Sequence, residues 1–330
     1  MKKYISCLVL ASAALVFSGC GKQTVSQEPE VTTGFALDTS ITITIYGGEK
    51  GLGEQCIALC EDYEKLFSRT LEGSDIYQIN HAAGAPVEVS DDTISLLKTA
   101  LSYSELSDGA FDCTIAPVSA LWDFKNNTGT VPEAEALQEA VSLVDYRTVS
   151  IDGNSVTLEN PQAALDLGGI AKGYIADRLK EFLLEEGISG ATINLGGNVL
   201  AIGEKPSKAM WKIAIQKPFA EHGEVIEAVS ISEGSVVTSG VYERYFTVDG
   251  QIYHHLLDPE TGYPVQNELL SVTIVSENSV DGDALSTICF VLGYEKGAEL
   301  IQSLNEPGLE AIFVFEDESI QKVSASGQAE

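Results

Sequence analysis

The sequence predicts an α+β fold, and three observations lead to that class. Segments with the two-residue alternation of strands and segments with helical spacing both occur along the chain. Asp-Gly stands between two pairs of short strand-like segments, which predicts hairpins and antiparallel pairing. The elements form no regular strand–helix–strand repeat, which argues against a doubly wound parallel sheet.

The individual elements follow in chain order. The first strand is predicted from the alternation ITITIY, which ends at Gly47-Gly48. Helices are predicted where apolar residues recur at helical spacing, and Gly187 and Gly293 are expected to end two of them. The predicted strands are 41–46, 148–151, 155–158, 191–195, 211–216, 225–231, 245–248, 252–256, 270–276, 311–315 and 320–323. The predicted helices are 52–67, 93–106, 173–186 and 283–292.

Length and charge limit the class of protein. A chain of 330 residues with 44% apolar residues is expected to form one large domain or two closely packed ones. The formal net charge of −30 argues against coating nucleic acid and against adsorption to anionic lipid through a basic patch. An acidic surface is compatible with a soluble enzyme or with a protein that holds a divalent cation.

The first residues have the pattern of a targeting segment. Lys2 and Lys3 precede an apolar stretch over 4–17, which is too short to span a bilayer, since spanning takes roughly 20 residues. The following Phe-Ser-Gly-Cys resembles a bacterial lipoprotein cleavage site. We therefore expect a signal peptide at 1–19, a lipid on Cys20, a lipidated tether over 20–33 and the folded domain over 34–330. The alternative is an ordinary signal peptide with an incidental cysteine.

Four cysteines remain in the expected domain: Cys56, Cys60, Cys113 and Cys289. They form no CxxC pair and no cluster with histidine, so they make a poor zinc site. We expect small buried apolar residues, and the pattern does not assign a disulfide.

A glycine-rich segment over 166–174 (DLGGIAKGY) is a candidate phosphate site. Asp166 ends a strand-like segment, two glycines follow, and a helix begins with Lys172 in its first turn. Free N–H groups at a helix N-terminus attract anions, and a lysine there is not explained by the helix dipole. The alternative is a glycine-rich packing turn.

Two further turns interrupt the amphipathic pattern. Asp112, in GAFD before TIAP, is expected either to cap a helix or to touch a ligand. The Gly196-Gly197 pair follows a strand and indicates either a tight turn with a bulge or a second close approach of the backbone to a ligand.

The segment HHLLDPETG (254–262) carries two of the four histidines of the chain. His254 and His255 lie at a strand end, near Asp258, and Asp-Pro-x-Thr-Gly is typical of a rigid turn. Downstream, Asp283 and Thr287 stand four residues apart in a predicted helix, so their oxygens share a face. Such a hard-oxygen pair suits Mg²⁺, although a helix-start acid with a core threonine has the same pattern.

Together these segments resemble the ApbE family, the FAD:protein FMN transferases. The matching blocks run in family order and span most of the chain: GAFDCTIAP (109–117), LDLGGIAKGYIAD (165–177), INLGGN (193–198), VTSGVYERYF (237–246), HHLLDPETGYPV (254–265) and DGDALST (281–287). The resemblance implies an ApbE-like fold of two intimately packed α+β subdomains with an FAD cleft between them. It implies Mg²⁺-dependent transfer of FMN from FAD to a Thr or Ser hydroxyl of an acceptor flavoprotein, with release of AMP.

The resemblance also implies roles for particular residues. His255 is the candidate base, with Asp258 a possible orienting group. The FAD contacts would be Ala110, Phe111, Asp112, Asp166, Lys172 and His254, together with Leu37, Asp38 and Thr39. The Mg²⁺ ligands would be Gly169, through its carbonyl, Asp283 and Thr287. The family usually has Met-Gly-Thr where this chain has Leu37-Asp38-Thr39, and an aspartate would be strained there if its φ is positive.

The implied partners are FAD and an acceptor flavoprotein, such as a subunit of a membrane redox complex or an extracellular flavoprotein. The expected location is extracytoplasmic, with the chain anchored to the membrane through Cys20. Three alternatives stay open: an FAD pyrophosphatase that uses water as the nucleophile, a non-catalytic flavin-binding lipoprotein, and, less well supported, an extracellular solute-binding protein.

Overall fold

A computed structural model describes residues 28–126, 129–221 and 223–325. The strands within these residues are β1 (Glu30–Ala36), β2 (Thr39–Ile45), β3 (Val87–Glu88), β4 (Val149–Asp152), β5 (Ser155–Leu158), β6 (Gly190–Leu195), β7 (Asn198–Gly203), β8 (Trp211–Gln216), β9 (Val225–Ile231), β10 (Gly234–Gly240), β11 (Tyr245–Val248), β12 (Gln251–His254), β13 (Leu269–Ser276), β14 (Glu310–Phe315) and β15 (Ile320–Ser324). The helices are α1 (Leu52–Phe67), α2 (Asp75–His81), α3 (Asp91–Leu106), α4 (Ala116–Trp122), α5 (Ala134–Val141), α6 (Ala171–Glu185) and α7 (Ser279–Ser303), with a 3₁₀ turn at Tyr146–Thr148.

The largest sheet has eight strands in the order β1-β2-β6-β7-β10-β13-β14-β15, and every neighbouring pair is antiparallel. In β2 the isoleucines Ile41, Ile43 and Ile45 are buried, while the intervening residues are more exposed. This alternation directs one face of the strand into the core. Three two- or three-stranded sheets, β11-β12, β3-β5-β4 and β8-β9, complete the α+β arrangement.

Helices α1, α6 and α7 supply buried side chains to the main core on one face of this sheet. Hairpin β8–β9 forms a smaller core, in which Trp211 and Ile231 join Ala201 and Val236 of the large sheet. A third cluster surrounds Trp122, which stacks on Phe124 and Tyr253 and contacts Phe246 and Tyr263. This aromatic cluster lies directly behind the turn that follows β12.

The predicted hairpins and most predicted strands are confirmed, and α1, β8, β9 and β11 have the predicted bounds. Strands β7 and β10 and helices α2, α4 and α5 were not predicted. Strand β1 begins at Glu30 and pairs with β2, so residues 30–33 belong to the sheet and not to the expected tether. The predicted signal peptide and Cys20 lie outside the described residues.

Helix α7 begins at Ser279, four residues before the predicted start, and Gly293 interrupts it with φ 76° before it continues to Ser303. Cys56, Cys60, Cys113 and Cys289 are buried and unpaired, as predicted for small apolar residues. Burial raises the pKa of Cys56 and of Cys60 to about 12, so their thiols stay protonated. No helix in the described ranges is long and apolar enough to cross a membrane.

Candidate active site

Helix α6 begins after a glycine-rich turn that Asp166 holds in place. Its carboxylate accepts hydrogen bonds from the Gly168 N–H at 2.9 Å and the Ser119 hydroxyl at 2.9 Å. It also forms an ion pair with Arg69 at 3.1 Å. Asp166 thus has protein partners on both oxygens, and these bonds stabilise the turn before α6. Its contact with FAD stays a prediction.

The first turn of α6 crosses the start of α7 at very short range. A methyl group at Gly173 would overlap the carbonyl oxygen of Ser279, so only glycine fits at this crossing. The approach brings the Gly173 N–H to the carboxylate of Asp283, with a hydrogen bond of 2.6 Å to Oδ2. The glycine of the sequence motif therefore has a packing reason and places a donor on a buried acid.

Asp283 is 4% exposed and has a partner on each oxygen. Oδ2 accepts from Gly173, and Oδ1 accepts from the Asn198 side-chain amide at 2.9 Å. Burial raises the pKa of Asp283 above its usual range, while the Lys172 charge and these two hydrogen bonds limit that rise.

The residues predicted to hold a metal are brought to one place. Thr287 follows Asp283 by one turn of α7, and its hydroxyl lies 3.4 Å from that of Ser239. A methyl group built on Gly169 would lie 3.8 Å from Thr287 Oγ1, so the Gly169 backbone is adjacent. Each Asp283 oxygen accepts one hydrogen bond and keeps a further lone-pair direction. The donor set of carboxylate, hydroxyl and carbonyl oxygens suits a hard cation such as Mg²⁺.

Carboxylates, imidazoles and thiols alone make no metal site here. Among the residues that the structure describes, no group of three or more His, Cys, Asp or Glu side chains could hold an ion. A cation beside Asp283 would therefore depend on Thr287, the Gly169 carbonyl and ligands from substrate or water, which is the usual pattern for Mg²⁺.

The predicted anion site at the start of α6 has a different basis from the one expected. The Ala171 N–H donates to Leu167, and the Gly173 N–H donates to Asp283, so these two donors of the first turn are already used. Positive charge here comes from Lys172, whose field acts on Asp283, His255 and Glu243. The Lys172 side chain, rather than the Ala171 and Gly173 N–H groups, is therefore the candidate for attracting an anion at this turn.

Two charged residues in this region were not predicted as site residues. Glu243 and Arg244 lie in the turn before β11, and both are exposed. The charges of Lys172, Arg244 and Asp283 all act on the Glu243 carboxyl. The adjacent acid and base within VYERYF were the available signal, because charged residues between aromatic ones rarely serve packing alone.

His254 and His255 end the β11–β12 hairpin. The His254 ring is buried edge-on against Phe290, with Nε2 3.1 Å from the Val265 carbonyl. Burial lowers the pKa of His254 to about 4. His255 is partly exposed, and its backbone N–H donates to Arg244 at 3.1 Å.

The His255 ring has a perturbed environment. Burial, followed by the charges of Arg244, His254 and Lys172, lowers its pKa to about 3. Its Nδ1 is buried without a hydrogen-bond partner among the described residues, and the same holds for Nδ1 of His254. Both imidazoles are therefore neutral near pH 7.

Asp258 does not orient a histidine ring. Its carboxylate accepts from the Glu260 N–H at 2.8 Å and from the Thr261 hydroxyl at 3.1 Å, both within its own turn. The next glycine, Gly262, accepts a hydrogen bond from Trp122 Nε1 at 2.7 Å. The hypothesis that Asp258 steers His255 is corrected accordingly: a three-residue offset across this turn leaves the acid bonded to its own loop.

The 109–117 segment contributes packing beside Gly169. Phe111 is buried, and its ring would lie 3.2 Å from a methyl group on Gly169. Asp112 accepts from the Thr114 N–H and hydroxyl and from the Tyr146 N–H, so it caps a local turn. The helix that follows, α4, has Ile115 as its N-cap and no side-chain capping bond, so Asp112 does not cap a helix, and its contact with FAD stays a prediction. Ala110 lies one residue before this pair, and its N–H donates to Ser107.

The turn over Leu37 and Asp38 joins β1 to β2. Both residues have φ of 56°, so the condition under which an aspartate is strained at position 38 is met. Both central residues of such a tight hairpin turn adopt the left-handed region, which aspartate tolerates better than most residues. Asp38 pairs with Lys125 at 2.5 Å. Thr39 packs against Gly196, which places this turn beside the β6–β7 turn.

Comparison with known proteins agrees with this geometry. The sequence model described as "ApbE family" matches residues 37–313. The chain is 40% identical over 287 residues to the FAD:protein FMN transferase of Klebsiella pneumoniae (strain 342), covering 86% of this chain and 88% of that protein. It is 36% identical to the FAD:protein FMN transferase of Treponema pallidum (strain Nichols), over 81% of this chain and 78% of that protein.

Solved structures give the same result. The crystal structure of the ApbE protein from Thermotoga maritima superposes with a TM-score of 0.83 at 36% identity, over 90% of this chain and 97% of that one. The α+β fold predicted from the sequence is confirmed by this match. With a family model over most of the chain and relatives of this similarity, the protein belongs to the ApbE family.

Proposed function

We propose that the chain is an FAD:protein FMN transferase, which moves FMN from FAD to a Thr or Ser hydroxyl of an acceptor flavoprotein and releases AMP. One observation carries the proposal. In a member of this family, the charge of Lys172 acts both on Asp283, part of a hard-oxygen set, and on His255, a neutral imidazole whose Nδ1 has no partner among the described residues. That arrangement supplies both requirements of the reaction: neutralisation of phosphate charge and acceptance of a proton.

The acceptor hydroxyl oxygen attacks the FMN-side phosphorus of FAD. A new P–O bond forms, the bond from that phosphorus to the bridging oxygen breaks, and AMP leaves with that oxygen. The hydroxyl proton passes to His255, which is neutral and able to take it. Anionic phosphates beside this imidazole would raise its pKa above the value that burial and the neighbouring positive charges set. Such transfers depend mainly on positioning and on charge stabilisation.

Lys172 attracts the diphosphate of FAD to a chain whose overall charge of −30 repels it. Asp283, Thr287 and the Gly169 carbonyl are the groups that would hold Mg²⁺. When bound, that ion supplies further positive charge at the phosphate oxygens. Leu37, Asp38, Thr39, Ala110, Phe111 and His254 remain proposed FAD contacts.

We also propose that the mature protein begins at Cys20, carries lipid there and works outside the cytoplasm. The support is the sequence pattern of residues 1–20. Globomycin sensitivity of processing, or mass spectrometry of the mature N-terminus, tests this directly. An unmodified N-terminus at another residue would contradict it.

The test of function uses the domain without its lipid anchor, incubated with FAD and Mg²⁺. A candidate flavin-acceptor domain is added, and a matched acceptor has its target threonine replaced by valine. AMP release and the intact mass of the acceptor are followed together. A mass gain of one FMN on the threonine form alone, with AMP formed only in its presence, supports the transferase.

AMP and free FMN without any acceptor would instead support the pyrophosphatase. Exposure of Glu243 and partial exposure of His255 leave a path for water to the same site. Binding of FAD with no AMP under either condition, across several acceptors, would favour the non-catalytic flavin carrier.

A further inference from the structure

A line of buried polar side chains ends on the carboxylate of Asp283. Ser235, Asn198 and Ser279 come from β10, β7 and α7, and they are 0%, 2% and 0% exposed. The Ser235 hydroxyl donates to Ser279 Oγ at 2.9 Å, and the Ser279 hydroxyl donates to Asn198 Oδ1 at 2.7 Å. The Asn198 amide then donates to Asp283 Oδ1 at 2.9 Å.

The chemistry of the partners fixes the direction of this line. A carboxylate only accepts, so the nitrogen of the Asn198 amide must face Asp283. Its oxygen must then face Ser279, which has to donate and therefore accepts from Ser235. Asn198 and Ser279 each have one arrangement, because reversing either of them leaves a buried polar group unpaired. The Ser235 hydroxyl has the Val199 carbonyl, at 3.4 Å, as a second acceptor.

Hydrogen bonds from backbone N–H groups hold the line at Ser279 and at Asp283. Asp177 of α6 accepts from the N–H groups of Ser279 and Val280, at 2.8 and 2.9 Å, and so fixes the first turn of α7. The Gly173 N–H holds the other oxygen of Asp283. The carboxylate plane is thus set by two donors from different elements.

We propose that Asn198 is a positioning residue for cation binding: with Ser279 and Ser235 behind it, its amide fixes the Asp283 carboxylate so that its remaining lone pairs are presented to a divalent ion. The inference rests on the proposed function, since it needs a cation at Asp283, and it adds a residue with no predicted role. Residues that orient metal ligands typically matter by about 10- to 100-fold in metal affinity.

The test measures binding of Mn²⁺, used as a probe for the divalent ion, by the loss of the free-ion EPR signal in the presence of saturating FAD. Asn198→Ala is compared with Asn194→Ala. Asn194 belongs to the same hairpin, but its side chain accepts only from the Gly197 N–H in its own turn. We expect Asn198→Ala to weaken Mn²⁺ binding by at least about tenfold and Asn194→Ala to change it by less than about twofold.

Ser235→Ala provides a second variant if Asn198→Ala folds poorly. It keeps the amide and removes only the far donor, so we expect a smaller loss of Mn²⁺ affinity, of about two- to fivefold. Thermal unfolding by circular dichroism checks that each variant is folded at the assay temperature.

Equal losses in Asn198→Ala and Asn194→Ala would overturn the inference, because hairpin integrity rather than the amide would then govern binding. Unchanged Mn²⁺ affinity in folded Asn198→Ala and Ser235→Ala would overturn it as well, while leaving the transferase proposal intact. Absence of Mn²⁺ binding by the unaltered chain with FAD would overturn both this inference and the metal part of the proposed function.

Discussion

The two sides of the candidate site differ in how their polar groups are satisfied. On the carboxylate side, which comprises Gly173, Asn198 and Asp283, each Asp283 oxygen already has a protein donor. On the imidazole side, which comprises His254 and His255, the Nδ1 atoms are buried and lack a partner in the described part of the chain.

The carboxylate side is therefore ordered before substrate binds, whereas the imidazole side is free to form new hydrogen bonds. A carboxylate whose orientation is set before substrate arrives needs no rearrangement to meet a cation. An unpartnered buried imidazole nitrogen costs folding free energy, and folded proteins contain few such groups. The folded chain therefore fixes one side of its site and leaves hydrogen-bonding capacity open on the other.

The strongest test of the carboxylate side is Asp283→Ala. Loss of the Asp283 carboxylate should lower FMN transfer by about a thousandfold, since an ion held there supplies several kcal/mol to the transition state. Excess Mg²⁺ should restore activity only in part. Initial rates of acceptor flavinylation measured across a Mg²⁺ titration check this, and full activity of the variant without added metal would refute the metal assignment.

The strongest test of the imidazole side is His255→Ala. FAD binding should persist, while transfer should fall by about a hundredfold or more, because a proton acceptor is lost and binding groups remain. Flavin fluorescence titration and single-turnover flavinylation separate the two quantities. Unchanged turnover would remove His255 as the base, and lost FAD binding would reassign it to substrate contact.

Gly173→Ala tests whether the carboxylate side depends on the close crossing of α6 and α7. The added methyl group would meet the Ser279 carbonyl, and backbone there has little room to move. We expect the free energy of unfolding to fall by about 3 kcal/mol, in the upper range for overpacking. Urea denaturation followed by circular dichroism provides the measurement, and stability equal to the unaltered chain would show that the crossing is not tight.

The imidazole side should also affect how the free energy of unfolding depends on pH. The folded pKa of His254, about 4, lies below its ordinary 6.5, so between these values the unfolded chain binds the extra proton. The stabilisation that comes from this lowered pKa is complete above pH 6.5 and is lost as pH falls towards 4. The free energy of unfolding falls by about 3 kcal/mol at most.

His254→Phe should reduce the slope of that part of the profile without abolishing it, because the lowered pKa of His255 acts in the same direction and remains in the variant. The raised carboxyl pKa of Asp177 acts in the opposite direction, and it cancels when the variant is compared with the unaltered chain. Denaturation midpoints at intervals from pH 4 to 7 check this expectation. Parallel profiles for the two proteins would place the acid sensitivity elsewhere.

The smallest effect is expected for Asp258→Asn. Asparagine keeps an oxygen that accepts from the Glu260 N–H, so the turn should persist and transfer should change by less than about threefold. A carboxylate that oriented a catalytic histidine would behave differently, because its replacement by an amide costs about 10⁴-fold in a serine-protease triad. A loss of that size would restore the orienting role.

Local patterns predicted much of the fold. Helix α1 was bounded by its apolar spacing, and Asp249-Gly250 predicted the β11–β12 hairpin that carries the histidines. The shared face of Asp283 and Thr287 also followed from spacing within one helix. In each case the determining contacts lie within a few residues, where sequence patterns are informative.

The remaining features depend on residues far apart in the chain. Helix α7 was predicted to start too late, because its own N-cap Asn278 makes no side-chain capping bond to the helix backbone and Asp177 caps it from 102 residues away. The contact between Asn198 and Asp283 spans 85 residues. A periodic sequence pattern does not predict contacts between residues so far apart. The line of hydrogen bonds behind the Asp283 carboxylate is therefore seen only in the three-dimensional structure.

The bond from Trp122 to Gly262 has a spectroscopic consequence. The chain has two tryptophans, and they lie in separate clusters: Trp122 behind the turn after β12, and Trp211 beneath Lys205 on the β8–β9 hairpin. Indole emission responds to local polarity and to nearby acceptors of excitation energy, and flavin is such an acceptor. The protein thus contains one native fluorophore attached to the loop that follows the histidines and a second that serves as an internal reference, so events at this loop become visible without any label.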